Sequence, residues 1–465
     1  MNIPPMQRGR KVTSGEQLGC PAGFCHNGCM VPGNGRIMSR PSCGCKPRRL
    51  WKSMAGNCGA AAVVLSVFFL SSLWGSDMPR KPKVRALTAF VRIDRDHYAQ
   101  QIQEGLVVLR QAKAAFEQGG YEVQTVRVTT QPFPQYILGL NQQEVLQLFK
   151  GLDDLSAKET FTLNIGPAAQ SDGEDSAPIE LLGKVLASTH INASVLVAGE
   201  NGIDWKSVRS AARVMKYLEE NSPHGENNFG FAATAMLLPY APFYPGSYHN
   251  GAGHQFSIGL EGGNLVADVF AAAKGDLSVA ADRLSQELGA HAKILEAIAI
   301  KVQSATSWTY MGLDATPAPS LDSSIGAAFE NLTAGKFGSS GTLTAARIIT
   351  EAVRSIPVKR VGYSGLMLPP LEDPVLAQRW SEGTYNLDSL LAYSAVCGTG
   401  LDTVPLPGNA SRAQLERIIG DVASLAVKWH KPLTARLILA PGKKAGERTE
   451  FASPHLTNTI LKPLP

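Results

Sequence analysis

The sequence predicts a mixed α/β body in which parallel strands alternate with covering helices, and three observations indicate it. From residue 78 onward, short runs of branched apolar residues alternate with longer runs of helical periodicity. The composition, with 44% hydrophobic and 18% charged residues among 465, excludes disordered, collagen-like and coiled-coil proteins. No Gly/Ser-rich linker divides residues 78–465. A closed α/β barrel is therefore the predicted fold, and a doubly wound open sheet is the alternative.

The first half of this body reads as a regular succession of strands and helices. The run VRALTAFVRI at 84–93 predicts a strand, and 97–119 predicts an amphipathic helix that ends at a Gly-Gly pair. The same reasoning predicts strands at 121–129, 160–165 and 194–198, and helices at 141–155, 179–187 and 205–220. This order is typical of parallel strands joined by helical crossovers.

A Gly- and Pro-rich stretch at 225–264 interrupts the pattern, which then resumes. Residues 277–305 predict a long helix, because they contain few helix-breaking residues. Helices are also predicted at 342–355, 387–396 and 412–429, with another beginning near 325, and strands at 360–368, 401–404 and 433–439. The body therefore continues as α/β to its end.

The first 77 residues are a different kind of sequence. Residues 1–53 are basic and contain most of the cysteines, whose spacing matches no regular zinc site. Residues 54–77 form an apolar segment, uncharged as far as residue 76, that is just long enough to cross a bilayer as one helix. We expect a leader that is unstructured or foreign to the native protein, with translation starting at Met78 and a cytoplasmic body of residues 78–465. The alternative is a membrane-anchored protein.

The charge of the body excludes one class of partner. Nine of the 44 Lys and Arg residues and two of the 39 Asp and Glu residues precede residue 78, which leaves 35 basic against 37 acidic residues. A body that is close to neutral has no field to attract nucleic acid. We therefore expect a small-molecule partner and no nucleic-acid partner.

The Gly- and Pro-rich stretch contains candidate metal ligands. His249, His254 and Glu261 could be brought together by turns to hold a divalent metal ion. The alternative is that both histidines are surface turn residues and that Glu261 ends a strand. In the Pro-rich stretch at 311–330, Asp314 is a candidate carboxylate for substrate binding or acid/base chemistry.

Carboxylates and basic residues also follow or interrupt predicted strands. Glu372 and Asp373 lie where a strand meets a loop, a position typical of catalytic carboxylates in parallel α/β folds. The alternative is a solvated turn in which Asp373 caps a helix. Arg436 lies inside a strand pattern, which is unexpected unless it is paired or faces a cavity. Arg436 and Lys443 are candidate clamps for a substrate carboxylate or phosphate, with a solvated basic turn as the alternative for Lys443.

The last candidate site is a Gly-rich turn. Cys397 is the only cysteine after residue 77 and precedes Gly398 and Gly400, glycines that would let the backbone approach a ligand closely. Asp402 follows as a candidate acid or base. A thiol in such a turn acts as a nucleophile if its pKa is lowered. The alternative is a buried cysteine that packs as a small apolar residue.

Seven strings within the body carry a family resemblance. They are NFGFAA at 228–233, PFYPGSYH at 242–249, FSIGLE at 256–261, GLDATPAPS at 312–320, GYSGLMLP at 362–369, CGTGLDTVPLPG at 397–408 and PGKKAG at 441–446. With these strings, residues 84–451 resemble the bacterial and archaeal group catalogued as "PFL family protein", a domain-of-unknown-function family. The resemblance implies a ten-stranded α/β barrel with a central loop, as in pyruvate formate-lyase and anaerobic ribonucleotide reductase, and no established reaction.

Enzymes of that fold use a cysteine radical on a loop and a glycyl radical near the C-terminus. The resemblance therefore directs attention to residues of this sequence that could form either radical. Cys397 and its glycines could form such a loop. The only Arg-Val-Gly-Tyr string, at 360–363, precedes Cys397, whereas the radical glycine follows the cysteine in those enzymes. We therefore predict no glycyl radical, and shared fold alone carries no function.

Together these features predict an enzyme that acts on a small polar or anionic metabolite in a site enclosed by the barrel. Cys397 or a metal-bound water would be the nucleophile, Glu372, Asp373 or Asp402 the acid or base, and Arg436 the anion clamp. The cofactor is unknown, a divalent metal being one possibility, and a homo-oligomer is expected. The alternative is a non-catalytic metabolite sensor or partner-binding scaffold with an enzyme-like fold.

Overall fold

The computed structural model describes residues 78–168, 177–320, 322–396 and 398–464. The predictions made for the leader, for the apolar segment at 54–77 and for Cys397 lie outside the described residues. Among the residues that are described, no helix combines the length and the apolar character needed to span a membrane.

Ten strands and twelve α-helices form the described fold. The strands are β1 (Lys83–Val91), β2 (Val123–Thr130), β3 (Thr162–Pro167), β4 (Asn192–Gly199), β5 (Gly202–Ile203), β6 (Phe231–Ala235), β7 (Gln255–Glu261), β8 (Thr309–Asp314), β9 (Gly400–Pro407) and β10 (Leu433–Ala440). The helices are α1 (Tyr98–Gln118), α2 (Pro134–Ile137), α3 (Gln142–Glu159), α4 (Ala177–Ser188), α5 (Trp205–Asn221), α6 (Gly263–Ala273), α7 (Leu277–Thr306), α8 (Ile325–Thr333), α9 (Thr342–Ser355), α10 (Pro374–Glu382), α11 (Leu387–Val396) and α12 (Arg412–Trp429). The alternation confirms the α/β class.

The strands form one mixed sheet with the order β8-β7-β1-β2-β3-β4-β6-β10-β9, and β5 pairs with β4. Strands β1, β2, β3, β4 and β6 are parallel to their neighbours in this set. Strand β7 pairs antiparallel to β1, and β10 pairs antiparallel to β6. Because β8 is parallel to β7 and β9 is parallel to β10, two sets of parallel strands run in opposite directions.

An irregular segment, residues 360–366, contacts both ends of this strand order. Val361 N donates to the Leu313 carbonyl of β8 at 3.2 Å, and Thr399 N, just before β9, donates to the Leu366 carbonyl at 3.1 Å. The regular strand predicted at 360–368 is therefore wrong. Gly362 (φ 69°) and Ser364 (φ 45°) adopt left-handed backbone conformations that interrupt regular strand pairing.

The helices cover one face of the sheet. The apolar face predicted for α1 is confirmed: Ala115 is partly buried, and the other five residues are fully buried, namely Ile102, Leu106, Leu109, Ala112 and Phe116. The backbone of Gly105 on α1 lies close to the side chains of Ala89 and Val91 on β1. Successive side chains of a strand point to opposite faces, so Thr88 of β1 lies on the other face. We call this second face the inner face.

The connection between β6 and β7, residues 236–254, crosses the inner face, and we call it the inserted loop. Thr88 Oγ1 donates to the Pro242 carbonyl at 3.1 Å, and Asn164 Nδ2 donates to the Pro245 carbonyl at 2.6 Å. The Tyr244 hydroxyl donates to the Val128 carbonyl at 2.7 Å. The loop is thus held by β1, β2 and β3. Its path depends on these polar contacts, which no local periodicity encodes.

A glycine substitution tests the contact between residues 360–366 and the start of β9. A Cβ atom on Gly398 would lie 2.3 Å from both the nitrogen and the oxygen of Leu366, so the backbone must shift to admit it. We expect Gly398→Ala to lower the free energy of unfolding by about 3 kcal/mol in urea titrations. The control is Gly199→Ala, because nothing lies within 4 Å of that Cβ position. Equal stability of the two variants would contradict the contact.

Candidate functional site

Six charged side chains converge on the inner face of the sheet. We call them the charge cluster: Arg85 of β1, Arg127 of β2, Glu261 of β7, Glu372, Asp402 of β9 and Arg436 of β10. Three are arginines and three are carboxylates. A protein interior tolerates such charges only when they neutralise one another, so their pairing decides what the site can bind.

Arg436 is the centre of the best-paired part of the cluster. Its Nη1 donates to Glu372 Oε1 at 3.0 Å and to Asp402 Oδ1 at 3.2 Å. Its Nε donates to the Phe229 carbonyl at 2.9 Å, and its guanidinium lies 4.0 Å from the centre of the Phe229 ring. The structure thus brings together Glu372, Asp402 and Arg436, three of the residues that the sequence singled out for catalysis and binding.

Arg85 extends the network from the opposite direction. Its Nη1 donates to Glu261 Oε2 at 3.0 Å, and its Nη2 lies 3.9 Å from Glu372 Oε2. Ser320 Oγ donates to the other oxygen of Glu261 at 3.2 Å. Glu372 therefore bridges two arginines, Arg85 and Arg436, and is fixed in position by both.

Two β-bulges determine the direction of charged side chains in the cluster, one at Arg85 and one opposite Arg436. The pairing of β1 with β7 passes from Val84–Leu260 directly to Ala86–Gly259, so Arg85 is an extra residue. The pairing of β10 with β9 passes from Ala435–Leu401 to Leu437–Val404, so two residues, Asp402 and Thr403, face Arg436. Thr403 has φ 42°, a strained conformation for a β-branched residue. Bulges reorient side chains and are common beside active sites.

The electrostatic environment of Asp402 suits proton transfer. Burial raises the pKa of Asp402 to about 6; Arg436 opposes the rise and the neighbouring Glu372 adds to it. A carboxyl group with that pKa exchanges its proton close to neutral pH, which an ordinary aspartate does not do. Asp402 is therefore the member of the cluster best suited to act as an acid or base.

The inner face becomes more accessible toward the amino ends of the first strands. Arg85, Thr125, Arg127, Thr162 and Asn192 keep part of their surface exposed. Further along the same strands, the inner-face residues Thr88, Thr129 and Asn164 are fully buried beneath the inserted loop. The cluster is therefore partly exposed to solvent at this end of the sheet, through Arg85 and Arg127.

A separate cleft of about 570 Å³ lies at the carboxyl end of β1, and it is a weaker candidate. Much of its polar lining is already bonded within the protein: Asp94 N donates to Gln101, Arg95 donates to the Leu138 carbonyl, and Gln131 bonds both the nitrogen and the oxygen of Ile93. The charge cluster combines buried charges with backbone irregularity, so we assign the candidate site there.

Asp373 lies in the position that the capping alternative predicted. Its Oδ1 accepts from Val375 N at 2.9 Å and Leu376 N at 3.1 Å, at the start of α10. The same carboxylate accepts from Ser324 Oγ and from Gly326 N, at the start of α8. Burial raises the pKa of Asp373, and these hydrogen bonds lower it. Asp373 joins two helix starts, and its oxygens are occupied.

Asp314 is also occupied by the protein itself. Its carboxylate accepts from Tyr363 N at 2.6 Å, Ser364 N at 3.2 Å and Thr316 N at 3.0 Å. Burial raises the pKa of Asp314 to about 6, against the effect of these hydrogen bonds. Asp314 thus fastens residues 360–366 to the end of β8, and it is fully buried.

The three predicted metal ligands are not brought together. His249 Nε2 lies 3.1 Å from the Val91 carbonyl, and burial lowers the pKa of His249 to about 4. His254 is exposed and packs edge-on against Trp308, while Glu261 is paired with Arg85. Across the described ranges, no group of three or more His, Cys, Asp or Glu residues could hold a metal ion. The turns of the inserted loop do not bring His249, His254 and Glu261 together.

The remaining predicted binding residues contact protein rather than open space. Gly400 has φ 93°, and a Cβ atom there would lie 2.4 Å from the Thr434 oxygen. Gly398 is held against Leu366 in the same way. Lys443 pairs with Glu450 at 2.8 Å in the turn after β10. These glycines allow two backbone segments to pack closely.

Sequence reasoning missed Arg85 and Arg127, although a usable signal was present. Both interrupt apolar strand patterns, at VRALTAF and VQTVRVTT, as Arg436 does in its own strand. Applying to them the argument made for Arg436 would have identified three inward-facing arginines. Tyr244, whose ring lies 4.9 Å from the Arg127 guanidinium, gave no comparable signal.

Comparison with known proteins places the chain in a family. The family model described as "Uncharacterised ACR (DUF711)" matches residues 79–453 of the chain. The chain belongs to this family. The matched residues include the whole charge cluster, and their range agrees with the 84–451 predicted from the resemblance.

Relatives of the chain carry the family name UPF0210. A UPF0210 protein of Pyrobaculum arsenaticum is 31% identical over 345 residues, covering 70% of this chain and 76% of the relative. A UPF0210 protein of Carboxydothermus hydrogenoformans is 27% identical over 376 residues, covering 77% and 83%. Among solved structures, the anaerobic ribonucleotide reductase of Thermotoga maritima, in complex with dATP and CTP, matches with TM-score 0.39 and 10% identity, over 81% of this chain and 79% of that one.

Removing the central arginine tests the pairing in the cluster. At pH 8, Arg436→Met leaves Asp402 as a buried unpaired carboxylate, and we expect the free energy of unfolding to fall by about 3 kcal/mol. The pKa of Asp402 is already raised above its ordinary value of 3.8, and loss of Arg436 raises it further. Asp402 is therefore protonated at pH 5, and the destabilisation should be smaller there. Urea titrations at both pH values measure the difference.

The double variant Arg436→Met/Asp402→Asn separates this pairing from a general loss of packing. It should recover part of the lost stability at pH 8 and show less change with pH than Arg436→Met. Arg110→Met, which breaks the exposed pair with Glu159, is the control and should have little effect at either pH. A pH-independent loss in Arg436→Met would contradict the assigned pairing.

Proposed function

We propose that the protein is an enzyme that transfers a proton to a small anionic metabolite bound at the charge cluster. The observation that carries the proposal is the setting of Asp402. It is a buried carboxyl group with a pKa near 6, hydrogen-bonded to Arg436, beside a second carboxylate and on a strained bulge. Perturbed carboxyl groups beside fixed cations are typical of general acid/base sites.

The neighbouring side chains have separate roles in this proposal. Asp402 acts as the general acid and gives its proton to the substrate. Glu372, held between Arg85 and Arg436, supplies a fixed negative charge that keeps the proton on Asp402. Arg436 steadies Asp402 once its proton has left. Because these groups are fixed before the substrate arrives, they need no reorganisation during the reaction.

We also propose that the sheet closes into the barrel implied by the resemblance to the "PFL family protein" group. The support is the position of residues 360–366, which bond to β8 through Leu313 and to the start of β9 through Leu366. The main strand order has nine strands, since β5 lies off it, and residues 360–366 would be the tenth member. Two sets of five would then surround the inserted loop. A closed barrel explains how six charged side chains share one enclosed space.

Asp402→Asn tests the proposed reaction. Hydroxy acids, keto acids and phosphate monoesters are incubated with the protein in D₂O, and products or deuterium incorporation are followed by NMR. For a substrate that is turned over, we expect Asp402→Asn to lower kcat/KM about 100-fold or more. Wild-type kcat/KM should fall as pH rises above about 6, because the general acid loses its proton.

The matched control is Asp154→Asn, an exposed carboxylate paired with Lys150 on α3, which should leave turnover unchanged. Full activity of Asp402→Asn would overturn the proposal. Binding of a metabolite by the wild-type protein, with no turnover of any compound in these classes, would favour the sensor that the sequence left as the alternative.

A further inference from the structure

We infer that Arg127 is the anchor for a carboxylate group of the substrate, and that the substrate is a monocarboxylate. This inference rests on the proposed function for its location, since Arg127 belongs to the same cluster. The juxtaposition that carries it is a guanidinium that has no carboxylate partner among the described residues, beside the ring of Tyr244 and near the paired arginines Arg85 and Arg436.

The bonding of Arg127 differs from that of the other two arginines. Its Nε donates to Thr125 Oγ1 at 3.0 Å, and its Nη1 makes a long bond of 3.4 Å to the Pro242 carbonyl. Its guanidinium lies 4.9 Å from the centre of the Tyr244 ring. Within the described part of the chain, no carboxylate forms an ion pair with it. The outer edge of the guanidinium, at Nη1 and Nη2, therefore keeps bonding capacity, and that edge suits a bidentate carboxylate.

Arg127 lies deep in the protein and yet keeps part of its surface accessible. Burial and the proximity of Arg85 and Arg436 lower the pKa of Arg127 to about 10, so it stays a cation at neutral pH. An unpaired cation in such a place is unfavourable, and a bound anion relieves that cost. Arg127 therefore retains contact with solvent, from which we expect the anion to bind.

The floor of the proposed site is rigid. The Tyr244 hydroxyl donates to the Val128 carbonyl at 2.7 Å and accepts from Thr129 Oγ1 at 3.0 Å. Thr88 and Asn164 hold the backbone of the inserted loop on either side of Tyr244. Arg127 thus rests against a ring that is already fixed, and little ordering is needed when an anion binds.

The charge count selects a singly charged anion. Three arginines face three carboxylates, so the cluster is neutral while Asp402 is ionised and carries one positive charge when Asp402 is protonated. Asp402 is faced by Arg436 from β10, by Glu372, by Arg85 from β1 and by the Tyr363 hydroxyl group, whose pKa burial raises. A monocarboxylate with one proton taken up by Asp402 leaves the buried site neutral. A dianionic phosphate monoester would leave it negative.

Acetate is the probe, and chloride at equal ionic strength is the control. We expect acetate to raise the thermal unfolding temperature of the wild-type protein and to bind measurably in titration calorimetry. Arg127→Met should lower acetate affinity about 30-fold or more, as the loss of one charge-assisted hydrogen-bonded pair implies. Arg127→Lys should retain part of the affinity, because it keeps the charge and loses the planar fork.

The unfolding temperature without acetate distinguishes an anion anchor from a structural arginine, because the two roles predict opposite effects of Arg127→Met. At pH 5, where Asp402 is protonated and the cluster carries one positive charge, Arg127→Met removes that excess charge, so the variant should unfold at the same temperature as the wild-type protein or higher. A structural arginine would make the variant less stable. Acetate affinity of the wild-type protein should fall as pH rises from 6 to 8, and that of Asp402→Asn should not, because only the former takes up a proton.

Three results would each overturn the inference. The first is equal acetate affinity in Arg127→Met and wild type, and the second is tighter binding of inorganic phosphate than of acetate at pH 8. The third is reduced stability of Arg127→Met at pH 5. Asp402→Asn should still bind acetate. Acetate binding that depends on Arg127, without turnover of any substrate class, would contradict the proposed function and leave the anchor intact. Turnover that Asp402→Asn abolishes and Arg127→Met leaves unchanged would contradict only the anchor.

Discussion

The constraint on which the site depends is the neutralisation of buried charge on the inner face. Arg436 can be buried there because Glu372 and Asp402 both accept from its Nη1, and Arg85 can because Glu261 does. Regular strands would not direct these side chains at one another, so the backbone departs from regular pairing at Arg85 and at Asp402–Thr403. The bulges are therefore a structural requirement of the cluster, and the strain at Thr403 is part of its cost.

The sequence predicted the elements well and the path of the loops poorly, for a physical reason. Helical periodicity and runs of branched residues report which local structure buries apolar surface, so the long helix at 277–305 is observed at Leu277–Thr306. Residues 360–368 are apolar enough to predict a strand, but Asp314 binds the amides of Tyr363 and Ser364 and bends the segment instead. A contact between residues about 50 positions apart leaves no local signal.

The same limit applies to the site. Asp402 and Arg436 were recognisable because each is a charged residue within a strand, where a charge requires a partner. Glu372 was recognisable because it follows an apolar run that predicted a strand. Gly398 and Gly400 were equally plausible as ligand-binding residues, and Asp373 as a catalytic carboxylate. The two glycines pack against Leu366 and Thr434, and Asp373 binds two helix starts. Residue type and local spacing cannot distinguish a glycine that approaches a ligand from one that approaches another strand. Only the tertiary partner decides.

The reversal of strand direction explains why the cluster forms where it does. The parallel set that begins the body contributes Arg85 and Arg127 from β1 and β2, whereas the set of opposite direction contributes Glu261, Asp402 and Arg436 from β7, β9 and β10. In a wholly parallel sheet, the amino ends of some strands never meet the carboxyl ends of others at the same edge. Here β1 pairs antiparallel to β7, so Arg85, near the start of one strand, lies beside Glu261, at the end of the next. Opposite charges from the two sets can therefore meet across the inner face, and the topology itself supplies the conditions for a buried charge cluster.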